Sequence, residues 1–156
     1  MEQIYNPYLP LTEYVPDGEP HVFGDRVYLY GSHDRAGGTE YCEEDYVVWS
    51  APTDNLRDWR FEGVSFRKNQ HPGNEDGQHK LYAPDCIKGP DGRYYLYYAP
   101  DGLNTIGVAV SDVPQGPFEY YGEVKLPENP DVQKGFLDAR EEKQPETPEE
   151  WIRKME

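Results

Sequence analysis

A unit of paired strands occurs twice in this sequence, and Arg26 of the first copy corresponds to Arg93 of the second, 67 residues later. Each hairpin is followed by two further strand-like segments that also correspond. The segments of the first copy are 19–23, 26–30, 48–50 and 59–63, and those of the second are 83–87, 93–98, 109–111 and 118–122. A repeat of about four strands is typical of a propeller blade, which cannot bury its faces alone. The sequence therefore predicts an all-β fold with two four-stranded blades per chain.

The predicted units follow one another along the chain. They are an extended lead-in (1–18), a first blade (19–66) with an exposed loop at 34–45, an inter-blade loop (67–80), a second blade (81–126) and a C-terminal extension (127–156). In the extension, Thr147-Pro148-Glu149-Glu150 combines a capping hydroxyl, a proline at the first helical position and a glutamate at the third. This pattern predicts a short helix over 149–155.

Composition and charge indicate how large the core can be and argue against some classes of binding partner. Only 36% of the 156 residues are hydrophobic and the mean hydropathy is −0.95, so the core is thin or is completed from outside the chain. The net charge of −15 argues against nucleic acid and anionic membrane surfaces, because both are bound through clustered Lys and Arg. The start of the chain shows no signal peptide or membrane segment, so the expected location is the cytoplasm and Cys42 and Cys86 are expected to be free thiols.

Two acids stand at the heads of the two repeats. Glu19 precedes Pro20 at the first strand, and Asp85 follows Pro84 at the corresponding strand of the second copy. If the first strands of the blades line a central channel, both carboxylates face one cavity and raise each other's pKa. The structural alternatives are a turn residue bonding local amides for Glu19 and an Asx turn for Asp85.

Three further residues are candidates for binding a substrate. His33 and Asp34 end a predicted strand, where His33 could donate a hydrogen bond to a sugar hydroxyl, and Trp49 could stack on a sugar ring. The alternatives are a satisfied His-Asp pair and a core tryptophan. The acidic run Glu40–Asp45 lacks the spaced ligands of a calcium loop, so no metal or other cofactor is predicted, although calcium in a channel stays open.

Three stretches of the chain resemble glycoside hydrolase family 43. The matching residues are Asn6-Pro7, 17–23 with 28–34, and Leu81-Tyr82-Ala83-Pro84-Asp85 with 94–98, and the resemblance covers roughly 6–126. This family comprises five-bladed propeller enzymes, among them β-xylosidases and α-arabinofuranosidases that invert the anomeric configuration. The resemblance implies a general base on the first blade, an acid on the second that orients and tunes the proton donor, and a proton donor on the third.

Matched motif to motif, Glu19 takes the place of the base and Asp85 that of the second acid, while the motif of the proton donor is not found. Inverting hydrolysis needs one carboxylate to activate water and one acid to protonate the leaving oxygen. The expected function is therefore an inverting glycosidase that removes terminal xylose or arabinose from plant-polysaccharide fragments. The alternative is a truncated, non-catalytic member of the family that at most binds sugars.

Two blades leave open sheet edges and faces, which proteins resolve by pairing with something. Identical chains most often close by rotational symmetry, so a ring built from this chain has an even number of blades. Propellers of about four to eight blades allow a dimer, a trimer or a tetramer. Six blades lie closest to the five-bladed curvature of the family, so we expect a homo-oligomer, with a trimer favoured.

Overall fold

The computed structural model describes residues 7–103 and 105–124. The first antiparallel sheet has the order β1 (Glu19–Phe23), β2 (Arg26–Tyr30), β3 (Tyr46–Pro52) and β4 (Arg60–Phe66). The second has the same order, with β5 (Leu81–Lys88), β6 (Tyr94–Pro100), β7 (Ile106–Ser111) and β8 (Glu119–Val124). The prediction of an all-β chain with two four-stranded blades is confirmed. The predicted helix over 149–155 lies outside the described residues.

Alternation of side chains along the strands places the core between the two sheets. In β2, Tyr28 and Tyr30 face the second sheet, and in β6 Leu96 and Tyr98 face the first. The ring of Phe66 lies 4.9 Å from that of Tyr98, centroid to centroid. Aromatic pairs at this separation add to the free energy gained by burying their surface. The tyrosine-rich composition is thus used to join one blade to the next.

The other face of the first sheet is also apolar. Leu29, Val47 and Trp49 are buried there, and Leu9, Val15 and Trp59 pack against them. On the second sheet, by contrast, the side chains of Ile87 (46%), Ile106 (42%) and Val124 (43%) are exposed. The second sheet therefore exposes apolar side chains on the face that points away from the first sheet.

The connection between the sheets is more ordered than its polar sequence suggests. It contains a single turn of 3-10 helix, Lys68–Gln70. Asn74 is fully buried, its Nδ2 donates to the carbonyl oxygens of Lys68 (3.0 Å) and His79 (2.9 Å), and its Oδ1 accepts the N–H of His79 at 2.8 Å. One buried amide therefore pins both ends of the loop. No helix of the described residues is long and apolar enough to cross a membrane.

Both described cysteines are buried and free. Cys86 is 0% exposed in β5, and burial raises the pKa of its thiol to about 12. Burial likewise raises the pKa of the Cys42 thiol, with a further rise from the charges of Asp34 and Asp17. A thiol that stays protonated is a poor nucleophile. Cys86 is a residue of the core between the two sheets.

His71 gives the stability of this fold a pH dependence. Its side chain is fully buried, its Nδ1 lies 2.9 Å from the hydroxyl of Tyr98, and burial lowers its pKa. Because the unfolded chain then binds a proton that the folded chain resists, stability is present above the unfolded pKa of about 6.5 and is lost as the pH falls below it. We expect the thermal midpoint to be lower at pH 5.5 than at pH 7.5, and we expect this difference to be smaller in His71→Gln. The variant His79→Gln, on the same loop, is expected to keep the dependence, and equal slopes in all three proteins would contradict this account.

Closure of a ring by identical chains stays a prediction, and the exposed face of the second sheet makes it testable. Three chains of 18.1 kDa would give about 54 kDa by light scattering. A charged residue on that face, Ile87→Lys, is expected to shift the mass toward the monomer, whereas Val113→Lys, at an exposed position between β7 and β8, tests whether any added charge has the same effect. A stable, folded monomer of the unmodified chain would rule the closed ring out.

Candidate active site

Glu19 and Asp85 occupy equivalent positions of the two sheets. Glu19 pairs with Tyr30, and Asp85 pairs with Tyr97, which is the residue that corresponds to Tyr30 in the repeat. Both acids are exposed, with 51% of the Asp85 side chain accessible. The repeat therefore presents one carboxylate at the same place on each first strand, and the expectation that both acids line one cavity stays a prediction.

His21 joins the two first strands at this point. Its Nε2 lies 2.6 Å from Oδ1 of Asp85, and the same oxygen accepts the N–H of Cys86 at 2.8 Å. The ring of His21 stacks on that of Phe23 at 5.9 Å between centroids, which fixes its orientation. Strand alternation puts Glu19, His21 and Phe23 on one face of β1, the face toward the second sheet. A carboxylate held by two donors is oriented before any ligand arrives.

Sequence reasoning assigned no role to His21, although a signal was present. His21 stands two residues after Glu19, and residues two apart in a strand share a face. Once Glu19 was placed on a channel-lining face, His21 belonged to the same face. Its partner across the blades could not be read from the sequence, because the relative position of two sheets is set by side-chain packing.

The structure makes Asp17 a further candidate for the acid of the first blade. Its backbone has φ = 54°, a left-handed conformation that few residues other than glycine adopt. The turn that holds it packs against the end of β2, where a Cβ on Gly31 would lie 2.8 Å from the carbonyl oxygen of Pro16. Aspartate adopts this conformation more readily than most residues, and such conformations recur at functional sites where the surrounding structure holds them. Asp17 therefore joins Glu19 as a candidate for the acid of the first blade.

Glu19 differs from Asp85 in its surroundings. Within the described residues its carboxylate has no hydrogen bond or ion pair, so nothing in that part of the chain fixes its rotamer. The Asp17 carboxylate likewise has no hydrogen bond or ion pair within the described residues, but its side chain is shorter than that of Glu19. The assignment of Glu19 stays a prediction, with Asp17 as its alternative.

His33 and Trp49 converge on a different acid. Trp49 Nε1 donates to Oε2 of Glu13 at 2.9 Å, His33 Nε2 lies 3.7 Å from the same oxygen, and His33 Nδ1 lies 2.8 Å from the carbonyl oxygen of Asp45. Trp49 is only 8% exposed and its ring lies 5.2 Å from that of Phe61. Its faces contact protein, so the expectation that Trp49 stacks on a sugar finds no support in its burial.

Asp34 has a local role in the described structure. Its Oδ1 accepts the N–H of Cys42 at 2.5 Å, and its own N–H donates to the carbonyl oxygen of Tyr14 at 2.9 Å. These bonds hold the loop 34–45 against the lead-in, so the loop is less free than its sequence predicts. Binding of a substrate by His33 and Asp34 stays a prediction, since the partners found for them are protein groups.

The described residues contain no group of three His, Cys, Asp or Glu side chains that could hold a metal ion. The nearest approach to such a group at the candidate site is the pair His21 and Asp85, which are bonded to each other. The expectation that the chain needs no cofactor stays a prediction.

The two sheets are blades of a β-propeller, and each carries an acid at the equivalent position of its first strand. A family model described as glycosyl hydrolases family 43 matches residues 6–144, and the chain belongs to that family. A xylosidase/arabinosidase of Thermoclostridium stercorarium is 57% identical over 124 residues, which are 80% of this chain and 26% of that protein. Xylosidase/arabinosidase 43A of Humicola insolens is 37% identical over 119 residues, which are 67% of this chain and 34% of that protein.

Solved structures agree with these relatives. A family 43 β-xylosidase/α-arabinofuranosidase from a compost microbial metagenome, solved with xylotriose in a calcium-free form, superposes with a TM-score of 0.60 at 33% identity, over 76% of this chain and 37% of that one. The GH43_1 enzyme from Xanthomonas citri, solved with xylose, superposes with a TM-score of 0.60 at 32% identity. The match covers 70% of this chain and 32% of that one. The chain thus spans about a quarter to a third of the length of the curated relatives it matches.

The bond between His21 and Asp85 gives the first test of this site. In His21→Phe the aromatic ring remains to stack on Phe23, but the donor to Asp85 is lost. We expect kcat on a glycoside substrate to fall about tenfold or more, because a displaced acid reacts less well, while the thermal midpoint changes little. His79→Phe, a histidine of the inter-blade loop, is the control for a general effect of the substitution. Wild-type kinetics in His21→Phe would show that the bond does not matter for the reaction.

Proposed function

We propose that this chain supplies two blades and two acids of an inverting glycosidase that removes terminal xylose or arabinose from plant-polysaccharide fragments. The observation that carries the proposal is the oriented carboxylate of Asp85, which lies at the repeat position matched by Glu19 and next to the first blade. Relatives named xylosidase/arabinosidase support the class of substrate.

In the proposed reaction each blade supplies an acid with a different role. Asp85 orients the proton donor and tunes its pKa, and an acid of the turn 17–19 takes a proton from the attacking water. Inversion needs about 6.5–9.5 Å between the acid and the base, so that the water fits between the sugar and the base. The exposed edge of the first strands leaves room for a ligand at this place.

The proton donor is proposed to come from a further blade. The motif expected for it is not found in the sequence, and the second sheet exposes an apolar face on which another blade can pack. Either a longer chain or further copies of this chain would provide that blade. An acid delivered in this way would complete the cavity and the chemistry together.

The first-blade base is the part of the proposal that an amide series can decide. Neither carboxylate has a partner among the described residues, and Asp17 has the shorter side chain, with one rotatable bond fewer than Glu19. Fixed geometry favours catalysis, since a flexible arm must be ordered in the transition state. We therefore weigh Asp17 above Glu19, the residue predicted from sequence.

The test is hydrolysis of aryl β-xyloside and aryl α-arabinofuranoside by Asp85→Asn, Asp17→Asn and Glu19→Gln. We expect Asp85→Asn and Asp17→Asn to lower kcat by about 10²–10⁴, as loss of a proton-transfer group does, and Glu19→Gln to stay within about tenfold. Asp25→Asn, at the opposite end of the β1–β2 hairpin, is the matched control. A loss in Glu19→Gln alone would return the role of base to Glu19.

A second candidate function is sugar binding without catalysis. It is favoured by the sequence at hand, in which the motif expected for the proton donor is not found. If the unmodified protein binds xylotriose but hydrolyses neither aryl glycoside, this candidate replaces the glycosidase. If near-normal turnover persists in Asp85→Asn, the assignment of Asp85 is wrong.

A further inference from the structure

The strand that carries Asp85 is irregular just before that residue. β5 pairs with β6 through Tyr82 and Ala99, and next through Asp85 and Tyr97, with a register shift between the two pairs. The inserted Ala83 has φ = 38°, and Pro84 has no N–H to donate. Bulges of this kind re-aim the side chain that follows them. The direction of the Asp85 carboxylate therefore depends on the segment 82–85, called the bulge below.

Three groups of the first blade bind this bulge, one after another. Tyr46 Oη donates to the carbonyl oxygen of Tyr82 at 3.1 Å. Ser32 Oγ accepts the N–H of Ala83 at 2.8 Å. The third group is His21, described above, which binds Asp85 itself.

The two backbone bonds come from well-fixed side chains. Ser32 is 0% exposed and follows the end of β2, and Tyr46 is 1% exposed at the start of β3. The Tyr46 ring lies 6.2 Å from that of Tyr98 in an edge-to-face arrangement, which holds its hydroxyl in place. A left-handed conformation at a residue with a Cβ persists only where the surroundings hold it, and the bond from Ala83 to Ser32 is such a restraint.

We propose that Ser32 and Tyr46 are positioning residues that hold the bulge and thereby set the direction of the Asp85 carboxylate. This inference rests on the proposed role of Asp85. Through these hydrogen bonds to the backbone of the bulge, the first blade fixes the direction of an acid on the second blade. The carboxylate is therefore correctly oriented only while the two sheets stay packed together.

The kinetic test compares Ser32→Ala, Tyr46→Phe and their combination with the unmodified protein. We expect each single variant to lower kcat about tenfold to a hundredfold with KM within about twofold, since a displacement of an acid by about 1 Å has effects of that size. Because both side chains act on one bulge, the combined loss is expected to be smaller than the product of the single losses. Ser65→Ala is the matched control, because Ser65 is 2% exposed on β4 and contributes its carbonyl oxygen, not its hydroxyl, to Phe118.

A measurement that needs no activity separates this inference from the proposed function. Amide exchange at Ala83, followed by NMR, is expected to be about tenfold faster in Ser32→Ala, and unchanged in Ser65→Ala, because only the former loses the acceptor of that N–H. If the unmodified protein hydrolyses neither aryl glycoside, the proposed function fails and the exchange result still decides whether Ser32 holds the bulge. Unchanged exchange at Ala83, wild-type kcat in both single variants, or an equal loss in Ser65→Ala would each overturn the inference.

Discussion

Face-to-face packing of the two sheets is the interaction on which the rest of the structure depends. The buried tyrosines of β2 and β6 and the pair Phe66 and Tyr98 form one core between the blades rather than a core within either. A single four-stranded sheet has no interior of its own, so each blade is stable only against a neighbour. Every polar contact across the site is made at a spacing that this packing sets.

Hydrogen bonds between the packed sheets then fix the positions of individual atoms at the site. Tyr46 and Ser32 reach backbone atoms of the second blade, and His21 reaches the carboxylate of Asp85. Each bond by itself contributes modestly to stability, about 1 kcal/mol net. Their directionality matters more than their free energy, because an apolar interface alone tolerates small slides that would move an acid out of line.

The fold was largely predictable from the sequence, and the site only in part. The correspondence of Arg26 with Arg93 predicted both sheets, because strand repeats depend on local alternation and turns. The burial of Trp49 was not predictable, since an aromatic residue in a strand fits either a core or a surface. The bond of His21 to Asp85 depends on how two sheets meet, and the turn that holds Asp17 packs against Gly31 through its neighbours Pro16 and Gly18. Such contacts leave no periodic signal in one sequence.

The same repeat explains why the second blade exposes apolar side chains on its outward face. In β2, Tyr28 and Tyr30 face the neighbouring blade, and their counterparts in the second copy are Tyr95 and Tyr97, which point away from it. The outward face of the second blade is therefore the equivalent of the face that the first blade already buries. The further blade proposed above would bury apolar surface there, as the interface between the first two blades does, and would also enclose the strand end beside Asp85. In that proposal, the packing of one blade completes both the core and the site, because the apolar face and the Asp85 strand end lie on the same sheet.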